Sequence, residues 1–281
     1  MSQPLSELFR TAFVTGAGTG LGRAFTEMLL ADGVRVWGTS RDPSRLAPLA
    51  TASDDRFTPV ALELADGAAA EATLLAADQA AGRFDLVINN AGYGVFAEFA
   101  TADFAVWQRQ LEVMLINTAR LSHTAIRRFR DPVRAGRLAT LVNISSLAAQ
   151  FPLPFQSAYN MCKAGLSALN ESLIDELKGT GIVVIDFRPG DYRTDFEGSV
   201  QRPQRTTTPA MQRAWAAFER MMASGPEPAG AAGDLRRALL RQRSGTVRTG
   251  RFFQATVAPF IARLGSSGLQ RRIRARYFDL P

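Results

Sequence analysis

Residues 11–33 read TAFVTGAGTGLGRAFTEMLLADG: a short apolar run, four glycines within seven positions, then a stretch of helical periodicity. TAFVT (11–15) has the character of a buried strand, and GLGRAFTEMLLADG (20–33) that of a helix closed by glycine. The turn between them, TGAGTGLG (15–22), decides the fold. Glycines there permit a tight bend and let an anion approach the backbone at a helix N-terminus, where amide donors and the helix dipole favour negative charge. A turn that merely packs tightly is the competing reading. Placed after a first buried strand and opening a helix, the string marks a pyrophosphate cradle built from Gly16, Gly18, Thr19, Gly20, Leu21 and Gly22.

Outward from this turn, short apolar runs alternate with longer helical ones. VRVWGTS (34–40), FTPVALEL (57–64), FDLVINN (84–90), LATLVNIS (138–145) and IVVIDFRP (182–189) continue the strand series, and GTVRTG (245–250) adds a last one. DGAAAEATLLAADQAAG (66–82) and SAYNMCKAGLSALNESLIDELKG (157–179) read as helices, the second ending in lysine and glycine. Such alternation implies parallel strands with right-handed crossovers, hence an α/β fold with a doubly wound, mostly parallel sheet between two helical layers, the Rossmann arrangement. Periodicity lapses near 199, in SVQRPQRTTTP, before AMQRAWAAFERMMAS resumes as a helix. A single domain over residues 1–281 is expected, with an insertion over the sheet at about 191–230 and a basic helical extension at about 254–281.

The 281 residues are 46% hydrophobic and 21% charged, the balance of a folded globular chain. No apolar run reaches the ~18 residues of a membrane-spanning helix. The start, MSQPLSELFR, lacks the basic and apolar regions of a signal peptide. A single cysteine, Cys162, excludes an internal disulfide, and the expected compartment is the cytoplasm. With His123 as the only histidine, neither a multi-histidine metal site nor a Ser-His-Asp triad is expected, and no metal is assigned. The net charge of +7 is almost wholly arginine, because lysine occurs only at Lys163 and Lys178. From Arg236 onward eleven arginines accompany one acid, Asp279. That tail, with Leu269, Ile273 and Tyr277 on one helical face, reads as a solvated surface, or as a contact with an acidic partner or a membrane surface. Nucleic acid is not an expected partner.

SAYNMCKAG (157–165) sets Tyr159 and Lys163 four residues apart on the long helix, one above the other on one face. An ammonium near a phenol favours the phenolate and lowers its pKa, making the tyrosine a proton donor and acceptor. In a chain that otherwise chooses arginine, a compact ammonium at Lys163 implies contacts that a guanidinium cannot copy.

Taken in order, TG-x-x-x-G-x-G, NNAG (89–92), NISS (143–146) and Y-x-x-x-K resemble the short-chain dehydrogenase/reductase family in its single-domain branch, over residues ~10 to ~195. The resemblance implies roles. Tyr159 exchanges a proton with the substrate oxygen, and Lys163 lowers its pKa and bonds the nicotinamide ribose. Ser146, thirteen residues before Tyr159, bonds the reacting oxygen, with Ser145 as the alternative. Asn117 holds a helix irregularity and a water that links Lys163 to solvent. Asn89 and Asn90 brace the strand beside the cofactor, and Ala91 and Gly92 offer it backbone. Glu63, where the family often has aspartate, and Leu64 lie at the adenine. Pro189, Gly190 and Thr194 border the nicotinamide carboxamide, with Tyr192 projecting near it or the substrate. The family also pairs through helices at about 103–130 and 157–178, here carrying Leu166, Leu169, Leu173 and Leu177, which implies a homodimer or homotetramer.

The second strand ends VWGTSRDPSRL, and its C-terminal tip meets the adenosine ribose in dinucleotide folds. An acid there repels a 2′-phosphate. This chain has Ser40 and then Arg41, while Asp42 caps the next helix, so NADP(H) is the expected cofactor. Phe151, Leu153 and Phe155 between the serine and the tyrosine, with Tyr93, Val95 and Phe96, suggest an apolar pocket for a hydrophobic alcohol or ketone. LPF is also similar to family members acting on steroids or retinoids. The competing functions are a non-catalytic NADP-binding regulator and an epimerase or dehydratase using transient hydride transfer.

Overall fold

The computed structural model describes residues 3–130, 138–203, 207–259 and 266–280. Seven strands, β1 (Thr11–Val14), β2 (Arg35–Ser40), β3 (Phe57–Ala61), β4 (Leu86–Asn89), β5 (Ala139–Ile144), β6 (Ile182–Pro189) and β7 (Gly245–Thr249), form one parallel sheet in the order β3-β2-β1-β4-β5-β6-β7. Every residue of β1, β4, β5 and β6 is buried, as strands covered on both faces must be. Each expected strand is present, within a few residues of its expected ends.

Alternate residues of each strand enter opposite cores. Ala12, Val14, Val183, Ile185 and Phe187 meet α1 (Gly20–Ala31) and, further along the chain, the helix Pro228–Arg241. Phe13, Ile182 and Val184 pack into the other core with side chains from the helices Gly67–Ala81, Asn117–Phe129 and Ser157–Glu176. In chain order the helices after α1 are α2 (Ala47–Thr51), α3 (Gly67–Ala81), α4 (Phe104–Leu111), α5 (Asn117–Phe129), α6 (Ser157–Glu176), α7 (Pro209–Ala223) and α8 (Pro228–Arg241), with a C-terminal helix, Ser267–Tyr277, beyond them. Asp66 caps α3 by accepting from Ala69 N at 3.0 Å, and Gly82, at φ 71°, closes it.

The expected helix over about 103–130 is α4 and α5 joined by a π turn, Glu112–Ile116, which Asn117 N closes on Glu112 O. Strand order reverses between β1 and β4, so the crevice at their carboxyl ends is where such a sheet takes a ligand.

Candidate active site

The glycine turn rises from β1 into that crevice. Gly16 (φ +68°) and Gly20 (φ +53°) take left-handed conformations that L side chains resist. A Cβ at Gly22 would lie 2.1 Å from the Gly16 carbonyl oxygen and 2.4 Å from Asn90 Nδ2. No side chain fits there, and the turn can close only on glycine. Asn90 Nδ2 donates to Thr15 O (3.0 Å) and Gly16 O (3.3 Å), while Asn90 N and Ala91 N donate to Thr15 Oγ1 at 2.9 and 3.0 Å. The two strands flanking the crevice are thereby tied together. Behind them, buried Asn89 donates to Asn143 Oδ1 (2.8 Å), and Asn143 donates to Asn170 Oδ1 (2.7 Å).

At the end of β5, Ser146 opens a short 3-10 turn, its Oγ accepting from Ala148 N at 3.0 Å. Tyr159 lies in the first turn of α6 and Lys163 one turn further on. Lys163 Nζ donates to Ile144 O at 2.7 Å and stands 5.7 Å from the Tyr159 ring centroid. Burial pushes the Tyr159 phenol up to about 12, opposed by the Ser146 hydroxyl and reinforced by the charge of Asp191. Burial also brings Lys163 down to about 8. Where a lowering was expected, the phenol is raised overall, because desolvation of the buried ring is the largest effect on it. A phenol that keeps its proton at neutral pH is competent as an acid.

Of the catalytic and cofactor-contacting residues expected from the sequence, all but Gly22 and Asn117 line one cleft of about 1230 Å³. Gly22 shapes it from beneath. Asn117 does not belong to it: its amide donates to Leu64 O at 2.7 Å and packs against Gly67 at the start of α3. The helix irregularity expected around Asn117 is the π turn just before it, and the side chains that turn brings to the cleft are Val113 and Met114. A π turn takes up one extra residue, rotating the next stretch of helix by roughly 100° relative to an unbroken α-helix. The Asn117 side chain after the turn is engaged with Leu64 and Gly67 and does not line the cleft.

Tyr192 also departs from expectation. Although it borders the cleft, its ring is in the core at 4% exposure and its hydroxyl is hydrogen-bonded to Thr249. Of the expected apolar wall, Tyr93, Phe151 and Leu153 line the cleft. Val95 and Phe96 are buried elsewhere, and Phe155 packs against Phe96 with ring centroids 5.5 Å apart. His123 is exposed on α5.

Two contributors are absent from the sequence reading. Arg45 lines the cleft beside Arg41; its signal was the four-residue interval from Arg41 in a segment capped by Asp42. The C-terminal helix lines it as well, through Leu269, Ile273 and Tyr277, with Phe218 and Met222 of α7. The apolar stripe of the tail was visible, but not what it faced.

A glycine turn at the switch point of a parallel sheet, with serine, tyrosine and lysine gathered at its carboxyl edge, defines a dinucleotide-binding α/β protein equipped for proton exchange. The chain belongs to the short chain dehydrogenase family, whose sequence pattern matches residues 10–205. An uncharacterized oxidoreductase of Schizosaccharomyces pombe is 30% identical over 69% of this chain, which spans 65% of that relative's length. The crystal structure of a short-chain dehydrogenase from Streptomyces avermitilis superposes with a TM-score of 0.82 at 28% identity, covering 96% of this chain and 98% of that one. One from Burkholderia phymatum, solved in complex with NAD, gives 0.81 at 21% identity, covering 97% of each chain. Among the described residues no cluster of side chains suits a metal ion, and no helix is long and apolar enough to cross a membrane.

Proposed function

We propose that the protein is an NADP(H)-dependent oxidoreductase that interconverts a carbonyl and a secondary alcohol on an apolar small molecule. The observation that carries this reading is the convergence of Ser146, Tyr159 and Lys163 on the same cleft as the glycine turn. The cradle fits a dinucleotide: positive-φ glycines, a helix N-terminus without a side-chain cap at Thr19, and Asn90 and Ala91 opposite. When bound, the nicotinamide cofactor supplies or accepts the hydride. The turn Gly16–Gly22 and the N-terminus of α1 would hold its pyrophosphate. Ser40, Arg41 and Arg45 would hold the adenosine end, with Glu63 and Leu64 beside the adenine. Pro189, Gly190 and Thr194 would border the nicotinamide.

Ser146 donates to the reacting oxygen and Tyr159 delivers the proton it needs as negative charge develops. Lys163 stabilises the phenolate left behind. A purely regulatory nucleotide binder has no use for these three groups together.

The test is turnover of NADPH and NADH against a panel of apolar ketones and aldehydes. Tyr159→Phe retains the ring but removes the transferable proton, so kcat should fall by at least ~10²-fold. NADPH binding, measured by nicotinamide fluorescence, should be largely retained. Near-normal turnover by that variant refutes the mechanism.

A further inference from the structure

The proposed reaction gives no role to several charged groups of the cleft, Arg109, Asp191, Asp195 and Arg274 among them, and Asp191 is the one whose charge acts on the catalytic tyrosine. Asp191 comes directly after the Pro189–Gly190 turn beyond β6 and lies on the cleft wall, close enough to Tyr159 for its charge to act on the phenol. Its hydrogen bonds within the protein, from Gln254 Nε2 at 2.6 Å and Tyr277 Oη at 3.4 Å, both converge on Oδ2. Among the described residues none donates to Oδ1. Beside it, Gln254 Oε1 is buried near Gly190 and is also without a donor. Much of the cleft wall is apolar, Leu153, Phe196, Phe218, Met222 and Ile273 among it. An acceptor that a bound apolar substrate encloses there is costly unless a donor meets it.

We propose that Asp191 forms a substrate subsite whose Oδ1 accepts a hydrogen bond from a hydroxyl carried near the reacting carbon, so that the substrate is an apolar hydroxyketone or the corresponding diol. The inference rests on the oxidoreductase reading given above. A carboxylate accepts and does not donate, so the complementary group must bear a proton. A neutral hydroxyl suits the site better than an ammonium. The Arg251 guanidinium already acts on the carboxylate, and Arg274 lines the same cleft, so an ammonium would compete with one cation and face another. A substrate with no donor would enclose the carboxylate with one oxygen unpaired. Consistent with that shortage, burial raises the Asp191 carboxyl above the ordinary range despite the bonds from Gln254 and Tyr277.

The experiment compares kcat/KM for apolar ketones with that for the same ketones bearing a hydroxyl one to three carbons from the carbonyl. The unmodified protein should favour the best hydroxylated partner by about 10-fold or more, the reach of one hydrogen bond to a charged group. Asp191→Leu should bring that ratio to about one, because no acceptor remains at the subsite. Asp191→Asn, whose amide oxygen still accepts, should hold an intermediate ratio. An unchanged ratio in Asp191→Leu, or an equal loss on both kinds of ketone in both variants, overturns the subsite. If the unmodified protein turns over no ketone of the panel with either cofactor, the oxidoreductase reading itself falls, and the subsite with it.

Discussion

Lys163 is the residue on which the electrostatics of the site turn. Its ammonium is enclosed, engaged with Ile144 O, and brought down to about 8 by burial. A lysine is charged below its pKa, so the charge is present at neutral pH and is lost on passing about pH 8. With it goes the partner of the developing phenolate. The kcat/KM for ketone reduction should therefore decline above that pH, and a profile flat to pH ~10, near the pKa of a free lysine, would remove Lys163 from the mechanism. At the other end of the cleft, Asp42 is occupied: its carboxylate accepts from Ser44 N (3.0 Å) and Ser44 Oγ (2.6 Å), which holds its pKa below the ordinary range. That leaves Ser40 and Arg41 to meet a ribose phosphate, with Arg45, 3.7 Å from Asp42 Oδ2, beside them. We expect NADP(H) to be preferred over NAD(H) by ~10-fold or more in kcat/KM, about 1.4 kcal/mol at minimum. Ser40→Asp with Arg41→Ala should reverse the order, and equal use of both cofactors by the unmodified protein would refute the assignment.

Among the elements, β6 does most to position the catalytic groups. Its Asp186 is fully buried and accepts from Ser145 Oγ, from Ser167 Oγ at 3.0 Å and from the Arg188 guanidinium at 2.7 Å. Arg188 in turn donates to Ser167 Oγ at 2.6 Å and Glu171 Oε1 at 3.2 Å. Strands β5 and β6 are thus pinned to α6 directly behind Ser146 and Lys163. Removing one member of a buried pair strands the other, at a typical cost of about 3–5 kcal/mol. Asp186→Ala should show a loss of that order in urea denaturation. A loss under ~1 kcal/mol, the worth of a surface pair, would mean that water reaches Arg188.

For the whole molecule, the open question is self-association. Of the leucines expected to pair subunits, Leu166 and Leu177 lie in the monomer's own core at 2% and 3% exposure, while Leu169 and Leu173 are half-buried. The same helical layer instead exposes Phe104 (63%), Ile116 (49%) and Met161 (52%). Exposed apolar side chains on helices packed side by side suit a partner of like kind. Light scattering at micromolar concentration should report a dimer or tetramer, and Ile116→Glu with Met161→Glu should reduce it to monomer. A monomeric unmodified protein would contradict this pairing. The arginine-rich tail is not simply a free arm, since the apolar stripe of its helix forms part of the cleft wall.

The strand series, the glycine turn and the Tyr159–Lys163 interval were legible in the sequence because each obeys local rules: burial period, permitted φ and helical pitch. Ser146 came from the family resemblance, by its interval from Tyr159, with Ser145 as the alternative. Other features depended on how distant segments meet. Beside the π turn, Met114 lines the cleft while the Asn117 amide bonds Leu64 O, a split that the sequence interval did not show. Packing of α7 and the C-terminal helix over the sheet decided which aromatic side chains line the pocket and which fill the core. Tyr192 went to the core and Asp191 to the cleft wall, a division set by Thr249, Gln254 and Tyr277, all more than fifty residues away. A period of two or of 3.6 fixes which residues share a face. What that face meets is fixed only when the chain has closed on itself.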